Sequence, residues 1–221
     1  MKTIIAVPCM ETVQTEFFTS CMDMQRVGEV QVATVSCSLV YKSRTELGEH
    51  AVRSKADYVL WLDSDVVFPN TLMADMMKDM EGRDMVTGIC HMRKAPFRPA
   101  IWKTLRQGLT SDENESEEYN DYPEDRIFEV EGCGFAAVMM RTDVLRDVLN
   151  RYKELFAPLP GYGEDVSFCI RARACGYKIH CDPRIQIGHK GWSIICKDTY
   201  DAYRRMTETQ EDTDHEGKSL L

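Results

Sequence analysis

Short apolar runs alternate with segments of helical spacing in the first third of the chain. Residues 2–7, 29–35 and 58–62 are predicted to be strands, because they are apolar or alternate apolar and polar positions. Residues 12–27 and 43–55 place apolar residues at near-helical spacing, which predicts a helix after each of the first two strands. This β-α-β-α-β order implies right-handed crossovers and a parallel sheet. The sequence therefore predicts an α/β domain of the nucleotide-binding type.

After residue 66, strands and helices follow in mixed order. The spacing predicts helices at 69–81, 142–149 and 164–175. Apolar runs predict strands at 84–92, 99–103, 126–131, 135–140 and 177–181. The two parts of the chain thus differ in character but belong to the same α/β class.

Two polar segments limit the predicted domain. Residues 106–125 are acidic and cannot bury a core, so we interpret them as a mobile surface loop. Residues 206–221 are polar, and we expect a disordered tail. The predicted organisation is a single compact domain over residues 1–205. Residues 1–66 would form its nucleotide-binding half and residues 67–205 its acceptor and catalytic half.

The net charge of −9 is unevenly distributed over the 221 residues. Eight acids and no base lie in residues 111–125, and five more acids lie in residues 206–221. The rest of the chain is close to neutral, so an anionic substrate is compatible with it. We find no basic stripe or aromatic platform of the kind that binds nucleic acid.

Nine cysteines are scattered through the chain, often within apolar segments, and no CxxC pair occurs. The chain opens on an apolar stretch that is too short for a signal peptide, and no apolar run reaches the length of a membrane span. We therefore expect reduced cysteines in a cytoplasmic protein, without a disulfide framework or a zinc site.

Two carboxylates follow the third predicted strand directly. The strand Tyr58–Leu62 is followed by Asp63-Ser64-Asp65, at the end of the strand where open α/β sheets bind their ligands. A pair of hard oxygen ligands there suits Mg²⁺ or Mn²⁺ carrying a phosphate-bearing substrate. Asp also bonds its own nearby backbone readily, so the same residues fit a plain turn. The tripeptide alone leaves both interpretations open.

Three further features lie downstream. Gly132 and Gly134 are typical of a bulge or tight turn as much as of a site. Glu164 and Asp165 open a predicted helix, where the helix dipole favours acids in any case. His189 stands in a glycine-rich segment that is typical of a surface turn. Taken one at a time, none of these features identifies a site.

In their order along the chain, however, these features match a known pattern. The segments that carry the match are IIAVPCM, SRTELGEHAVRSKADYVLWLDSDVVFP, GCGFAAVMMR and GYGEDVSFCIRARACGYKIHCDPRIQIGHKG. From residue 2 to about 192 the chain resembles the metal-dependent glycosyltransferases of the GT-A fold with a DxD motif, especially the family 2-like members. The resemblance implies a Rossmann-like nucleotide-binding sheet with helices on both faces. It also implies transfer of a sugar from a nucleoside diphosphate donor to a hydroxyl acceptor.

The resemblance implies a metal site made of Asp63, Asp65 and His189. Asp65 would coordinate Mn²⁺ or Mg²⁺, Asp63 would contact the ribose or a metal-bound water, and His189 would be a further protein ligand. Lys190 would lie near the phosphates. Such an ion stabilises the negative charge that develops on the departing diphosphate.

The other donor contacts are implied in the same way. Pro8 and its neighbours after the first strand would line the nucleoside pocket together with Arg44, and Ser64 would belong to the donor site. Gly132 and Gly134 would let the backbone approach the donor sugar closely. A UDP-sugar is the expected donor, ahead of a GDP-sugar.

Asp165 is the general base that the resemblance implies for an inverting reaction, in which it takes the proton of the acceptor hydroxyl. Glu164 would orient that hydroxyl or serve as the base itself. Trp192 would form an apolar wall for a sugar, although a packing role fits it as well. A retaining reaction stays open, because both stereochemical outcomes share the metal and the donor pocket.

The acceptor is left open by the sequence. A glycan, a lipid-linked group, a protein or a modified nucleic acid would each supply a hydroxyl. Little of the chain remains after His189 to build an acceptor domain. The acceptor would therefore be held by the acidic loop, by a second subunit of an oligomer or by a partner.

Two alternatives compete with this interpretation. Haloacid dehalogenase-like phosphatases also place Asp-x-Asp after an apolar strand, with Asp63 then the nucleophile and Asp65 the acid and base. That family usually carries the motif on its first strand, whereas two β-α units precede it here. A catalytically silent nucleotide-sugar binding protein is the other alternative, and the complete set of acids and His189 argues against it.

Overall fold

The computed structural model describes residues 1–108, 110–191 and 194–217. Within these ranges the α-helices are α1 (Thr15–Asp23), α2 (Val40–Arg53), α3 (Leu72–Asp79), α4 (Thr142–Tyr152), α5 (Glu164–Ala174) and α6 (Lys197–Gly217). The strands are β1 (Lys2–Cys9), β2 (Glu29–Ser36), β3 (Tyr58–Leu62), β4 (Val66–Val67), β5 (Met85–Cys90), β6 (Ile101–Arg106), β7 (Glu115–Glu118), β8 (Phe128–Val130), β9 (Gly132–Cys133), β10 (Ala137–Arg141), β11 (Ile179–Lys190) and β12 (Ile194–Ile195).

A mixed sheet forms the centre of the described part of the chain. Its strand order is β12-β11-β5-β10-β3-β1-β2, with β4 and β8 also paired to β11. β1 pairs in parallel with β2 and β3, which confirms the parallel arrangement predicted for the first three strands. β10 runs antiparallel between β3 and β5, so the sheet is not parallel throughout. The local pattern of the first strands cannot show where a strand from much later in the chain will insert.

The central strands are buried on both faces, and their alternate residues belong to two separate cores. Ile4 and Trp61 pack in the core that α2, α4 and α5 cover. Ile5 and Leu62 pack in the core that α1 and α3 cover. Burial on both sides explains why these strands are continuous apolar runs. The helices on both faces confirm the predicted α/β architecture.

β1 extends further than the sequence predicts. We expected Pro8 to end the strand, but β1 continues to Cys9. The pairing with β3 ends at Ala6, and beyond it β1 pairs only with β2, where Pro8 lies opposite Val35. This extension carries Pro8 to the end of the sheet at which Asp63 emerges.

A second sheet contains part of the segment that we predicted to be a mobile loop. In the order β7-β6-β9, β7 pairs antiparallel with β6 and β6 pairs antiparallel with β9. We call residues 101–118 the acidic arm. The prediction of a structureless loop over 106–125 was wrong for Glu115–Glu118, which form a strand. Backbone pairing and cross-strand charge pairs, such as Lys103 with Glu117 at 3.5 Å, hold this strand without a buried core.

The C-terminal helix also departs from the expectation. Residues 206–217, for which the sequence predicts disorder, continue α6. The first turns of α6 supply aromatic contacts that polar composition does not reveal. The ring of Tyr200 lies 5.3 Å from that of His91, and the ring of Tyr203 lies 5.4 Å from that of Phe97. Among the described helices α6 is the longest, and neither it nor any other has the apolar length that a membrane crossing requires.

Candidate active site

A cleft of about 370 Å³ opens where β1, β2 and β3 end. Seven of the residues that the sequence analysis selected line it, namely Pro8, Arg44, Asp63, Ser64, Asp65, Glu164 and His189. They come from five separate stretches of the chain. The structure therefore brings most of the predicted site to the carboxyl ends of parallel strands, where α/β sheets bind ligands.

The backbone of Asp63-Ser64-Asp65 is held by three different parts of the molecule. Asp63 donates its N–H to the carbonyl of Ala136 at 3.1 Å. The carbonyl of Ser64 accepts the N–H of Gln14 at 3.2 Å, and the carbonyl of Asp65 accepts the N–H of Lys190 at 2.8 Å. These contacts fix the direction in which each side chain leaves the strand end.

Arg44 connects the strand end to the start of α5. Its guanidinium lies 2.6 Å from Asp63 Oδ1 and 2.9 Å from Glu164 Oε1, and its side chain is only 3% exposed. The guanidinium carbon lies 5.2 Å from the ring centre of Phe135. Burial opposes the charge of Arg44, but the surrounding carboxylates outweigh burial and raise its pKa. Arg44 therefore lines the cleft as predicted and also bridges two of its acids.

The two aspartates of the motif have opposite environments. Burial raises the pKa of Asp63, and the adjacent Arg44 only partly offsets this effect. Burial also acts on Asp65, but His189 and Arg93 outweigh it, so the pKa of Asp65 lies below its usual value. Asp65 is consequently the better carboxylate for a cation.

Asp65 lies between an imidazole and a guanidinium. His189 Nε2 is 3.6 Å from Asp65 Oδ1, and Arg93 Nη1 is 2.8 Å from Asp65 Oδ2. His189 Nδ1 is 3.2 Å from the carbonyl oxygen of His91. Because a carbonyl oxygen only accepts, Nδ1 is the donor in this contact, and Nε2 is the ring nitrogen that faces Asp65.

This arrangement fits a divalent ion with two protein ligands. Asp65 offers an oxygen and His189 a nitrogen, and the carbonyl of His91 orients the ring as an outer partner does in metal sites. Asp63, the third predicted ligand, is instead bonded to Arg44. In the described part of the chain, no three His, Cys, Asp or Glu residues stand close enough to hold a metal unaided. Mg²⁺ commonly takes one or two carboxylates and completes its shell with phosphate and water.

Asp165 lies at the start of α5, beside Glu164. Its Oδ1 accepts the N–H of Val166 at 2.7 Å. Burial raises the pKa of Asp165 to about 6, since Arg44 compensates only in part and Glu164 adds repulsion. A carboxylate with this pKa is suited to accept a proton near neutral pH.

Other predicted residues lie elsewhere. A Cβ atom on Gly132 would stand 2.3 Å from a methyl of Leu105, so this glycine permits close packing behind the site. A Cβ atom on Gly134 would stand 3.7 Å from Asp165 Oδ2, so this glycine borders the candidate base. The side chain of Lys190 is paired with Glu16 rather than directed into the cleft. Trp192 lies outside the described residues.

The sequence analysis missed Arg93, which lines the cleft beside Asp65. Arg93 follows β5, and the tendency of ligand sites to form where strands of an α/β sheet end points to this position. Cys37, which directly follows β2, also lines the cleft and was missed, whereas Cys9 belongs to the neighbours of Pro8 that were predicted for the nucleoside pocket.

No family model and no curated protein sequence matches the chain. Solved structures do match it. A197 from STIV has 19% identity and a TM-score of 0.60, with 86% of each chain covered. S. aureus TarS 1-349 has 14% identity and a TM-score of 0.51, and the match covers 82% of this chain and 58% of that one.

The same TarS fragment in complex with UDP has 15% identity and a TM-score of 0.50, over 82% of this chain and 57% of that one. The chain thus spans somewhat more than half of the TarS fragment. At these identities the likeness concerns the fold alone. Together with the mixed sheet and its helices on both faces, it shows that this chain has a GT-A-like fold.

Proposed function

We propose that this protein transfers a sugar from a nucleoside diphosphate donor to a hydroxyl acceptor, with Mn²⁺ or Mg²⁺ bound at Asp65 and His189. The observation that carries the proposal is one cleft lined by Asp63, Asp65, His189 and Glu164 at the ends of parallel strands. A UDP-sugar is the proposed donor, because a structure of similar fold contains UDP. A cytoplasmic location stays a prediction from the cysteine content.

The proposed reaction inverts the anomeric carbon. Asp165 removes the proton of the acceptor hydroxyl while the oxygen attacks that carbon, and the bond from the carbon to the diphosphate oxygen breaks. Glu164, fixed by Arg44 at 2.9 Å, orients the acceptor. A bound divalent ion offsets the charge that develops on the departing diphosphate. Arg44 is bonded to both Asp63 and Glu164 and so fixes the donor side of the site relative to the acceptor side.

The acceptor is proposed to bind along the acidic arm. A second cleft of about 580 Å³ is lined there by Trp102, Glu117, Asn120 and other polar residues. An aromatic face beside polar groups offers both kinds of contact that a sugar makes. The hydroxyl of Tyr162 donates to the carbonyl of Arg106 at 2.8 Å, and Asp165 follows three residues later. The arm and the candidate base are therefore mechanically connected.

The phosphatase alternative requires Asp63 to be a free nucleophile. In the structure Asp63 Oδ1 is bonded to the buried guanidinium of Arg44, and the motif follows the third strand. Both observations favour the transferase. A silent binding protein would have no need of a carboxylate such as Asp165 with its raised pKa.

The test is a thermal-shift panel of UDP-, GDP- and CMP-sugars, each with and without Mn²⁺, followed by a transfer assay. A ligand of the native state raises the melting temperature by mass action. We expect one nucleotide to act and to need the metal. Asp65→Ala should lose this shift, whereas Asp165→Asn should keep it and lose transfer. No shift with any donor would contradict the proposal, and a full shift in every variant without transfer in the native protein would indicate the silent alternative.

A further inference from the structure

Arg93 is a solvent-accessible cation on the wall of the cleft. Its Nη1 lies 2.8 Å from Asp65 Oδ2, and its side chain is 52% exposed. Arg44, by contrast, is 3% exposed and is bonded to two acids. A ligand that enters the cleft therefore reaches Arg93 without disturbing a buried network.

The acidic wall of the cleft needs a positive charge to bind an anionic ligand, and Arg93 can supply it. A nucleoside diphosphate brings negative charge to a wall that already carries Asp63, Asp65 and Glu164. Arg44 is committed to Asp63 and Glu164, and Lys190 is paired with Glu16 outside the cleft lining. The side chain of Lys190, which we predicted to lie near the phosphates, therefore does not line the cleft.

We infer that Arg93 binds the diphosphate of the donor, and that it exchanges its bond with Asp65 for bonds to phosphate oxygens when the donor arrives. The inference rests on the proposed function. A guanidinium presents a planar fork that matches two phosphate oxygens, so it is suited to this contact. A half-exposed ion pair is weak, so Asp65 releases Arg93 readily.

The exchange gives Asp65 two partners in sequence. In the free protein Arg93 neutralises Asp65, and in the complex Asp65 is released to take a divalent ion together with His189. The released guanidinium then contacts the phosphate that becomes the leaving group. Donor and metal binding are therefore expected to reinforce each other.

The test is calorimetric titration of the native protein, Arg93→Ala and Arg93→Lys with uridine, guanosine, UDP and GDP, each with and without Mn²⁺. Arg146→Ala is the matched control, since Arg146 is 51% exposed and forms a 2.7 Å ion pair with Asp143 on α4. We expect Arg93→Ala to weaken diphosphate binding about 10- to 100-fold, the loss typical of a charged hydrogen bond, and to leave nucleoside binding unchanged. Arg93→Lys keeps the positive charge but lacks the planar guanidinium. Its affinity for the diphosphate should lie between those of the native protein and Arg93→Ala.

A second readout uses Mn²⁺ alone. Without nucleotide, Arg93→Ala should bind Mn²⁺ more tightly than the native protein, because Asp65 no longer has a competing cation. The inference is overturned if Arg93→Ala binds diphosphates as tightly as the native protein, or if it does not bind Mn²⁺ more tightly. In either case, nucleotide binding by the native protein still supports the proposed function. A native protein that binds neither UDP nor GDP overturns both.

Discussion

The donor cleft and the acidic arm are both rich in charge, but they use charge in different ways. In the cleft, one guanidinium with 3% exposure is bonded to two carboxylates, and burial shifts the pKa values of its neighbours. On the arm, Arg98 and Glu118 form a pair whose side chains are 50% and 24% exposed. Burial makes the first network rigid and costly to break, whereas water screens the second. The comparison leads to three predictions, in order of decreasing effect.

The largest effect is expected at Arg44. Arg44→Met removes the charge but keeps a long apolar stem, and it leaves Asp63 and Glu164 without their common partner. Breaking a buried ion pair from one side destabilises a protein by about 3–5 kcal/mol. Chemical denaturation measures the free energy of unfolding. The control is Arg53→Ala, which removes a 63% exposed partner of Glu49 and should change that free energy by less than about 0.5 kcal/mol. If Arg44→Met and Arg53→Ala changed the free energy of unfolding equally, burial would not make the cleft network stronger than an exposed ion pair.

A smaller effect is expected from the titration of Asp165. Because the base must be ionised, transfer should fall about tenfold for each pH unit below the pKa, which burial raises to about 6. The folded state also holds this proton more tightly than the unfolded chain. Stability should therefore decrease as the pH rises from about 4 to about 6.

Asp165→Asn removes both responses to pH. Rate profiles at saturating donor and unfolding curves across the same pH range measure them separately. A native rate that stays constant between pH 5 and 7 would mean that another group is the base.

The smallest effect is expected at the base of the arm. Tyr162→Phe removes the hydroxyl that donates to the carbonyl of Arg106, which should cost about 1 kcal/mol of stability. The control is Tyr152→Phe, a change on a tyrosine that is 37% exposed at the end of α4. Proteolysis of the arm measures the effect locally. If Tyr162→Phe and the control are cut at the same rate, the Tyr162 hydroxyl does not help to hold the arm.

The elements that the sequence predicted correctly are those that depend on a local apolar pattern. The first three strands and two helices were predicted because each depends on local apolar periodicity, as in Ile4 and Ile5, which face opposite cores. β7 was missed because four polar residues contain no such signal, and their order comes from β6 across the pair. The antiparallel insertion of β10 was missed because it depends on a contact between distant parts of the chain.

The site was predictable to a similar degree. The acids and His189 were found through their order along the chain. Asp63, Asp65, Glu164 and His189 line one cleft in the structure, and Asp165 lies next to Glu164 at the start of α5. The role of Lys190 near the phosphates was implied by the resemblance, but Lys190 lies in β11 and its side chain is paired with Glu16. Successive residues of a strand point to opposite faces, so a residue next to His189 is directed away from the cleft. The position of Arg93 beside Asp65 could not be predicted, because it depends on where β5 ends in space relative to β3.

The pairing of β4 with β11 has a consequence for the way this fold can change over time. His189 lies opposite Val66, and the N–H of Lys190 bonds the carbonyl of Asp65, so backbone atoms alone set the spacing of the two candidate ligands. This backbone pairing does not depend on the identity of the side chains around it. A lineage that alters its substrate would then need to vary only the lining of the cleft and the arm, while the reactive geometry is inherited unchanged with the sheet.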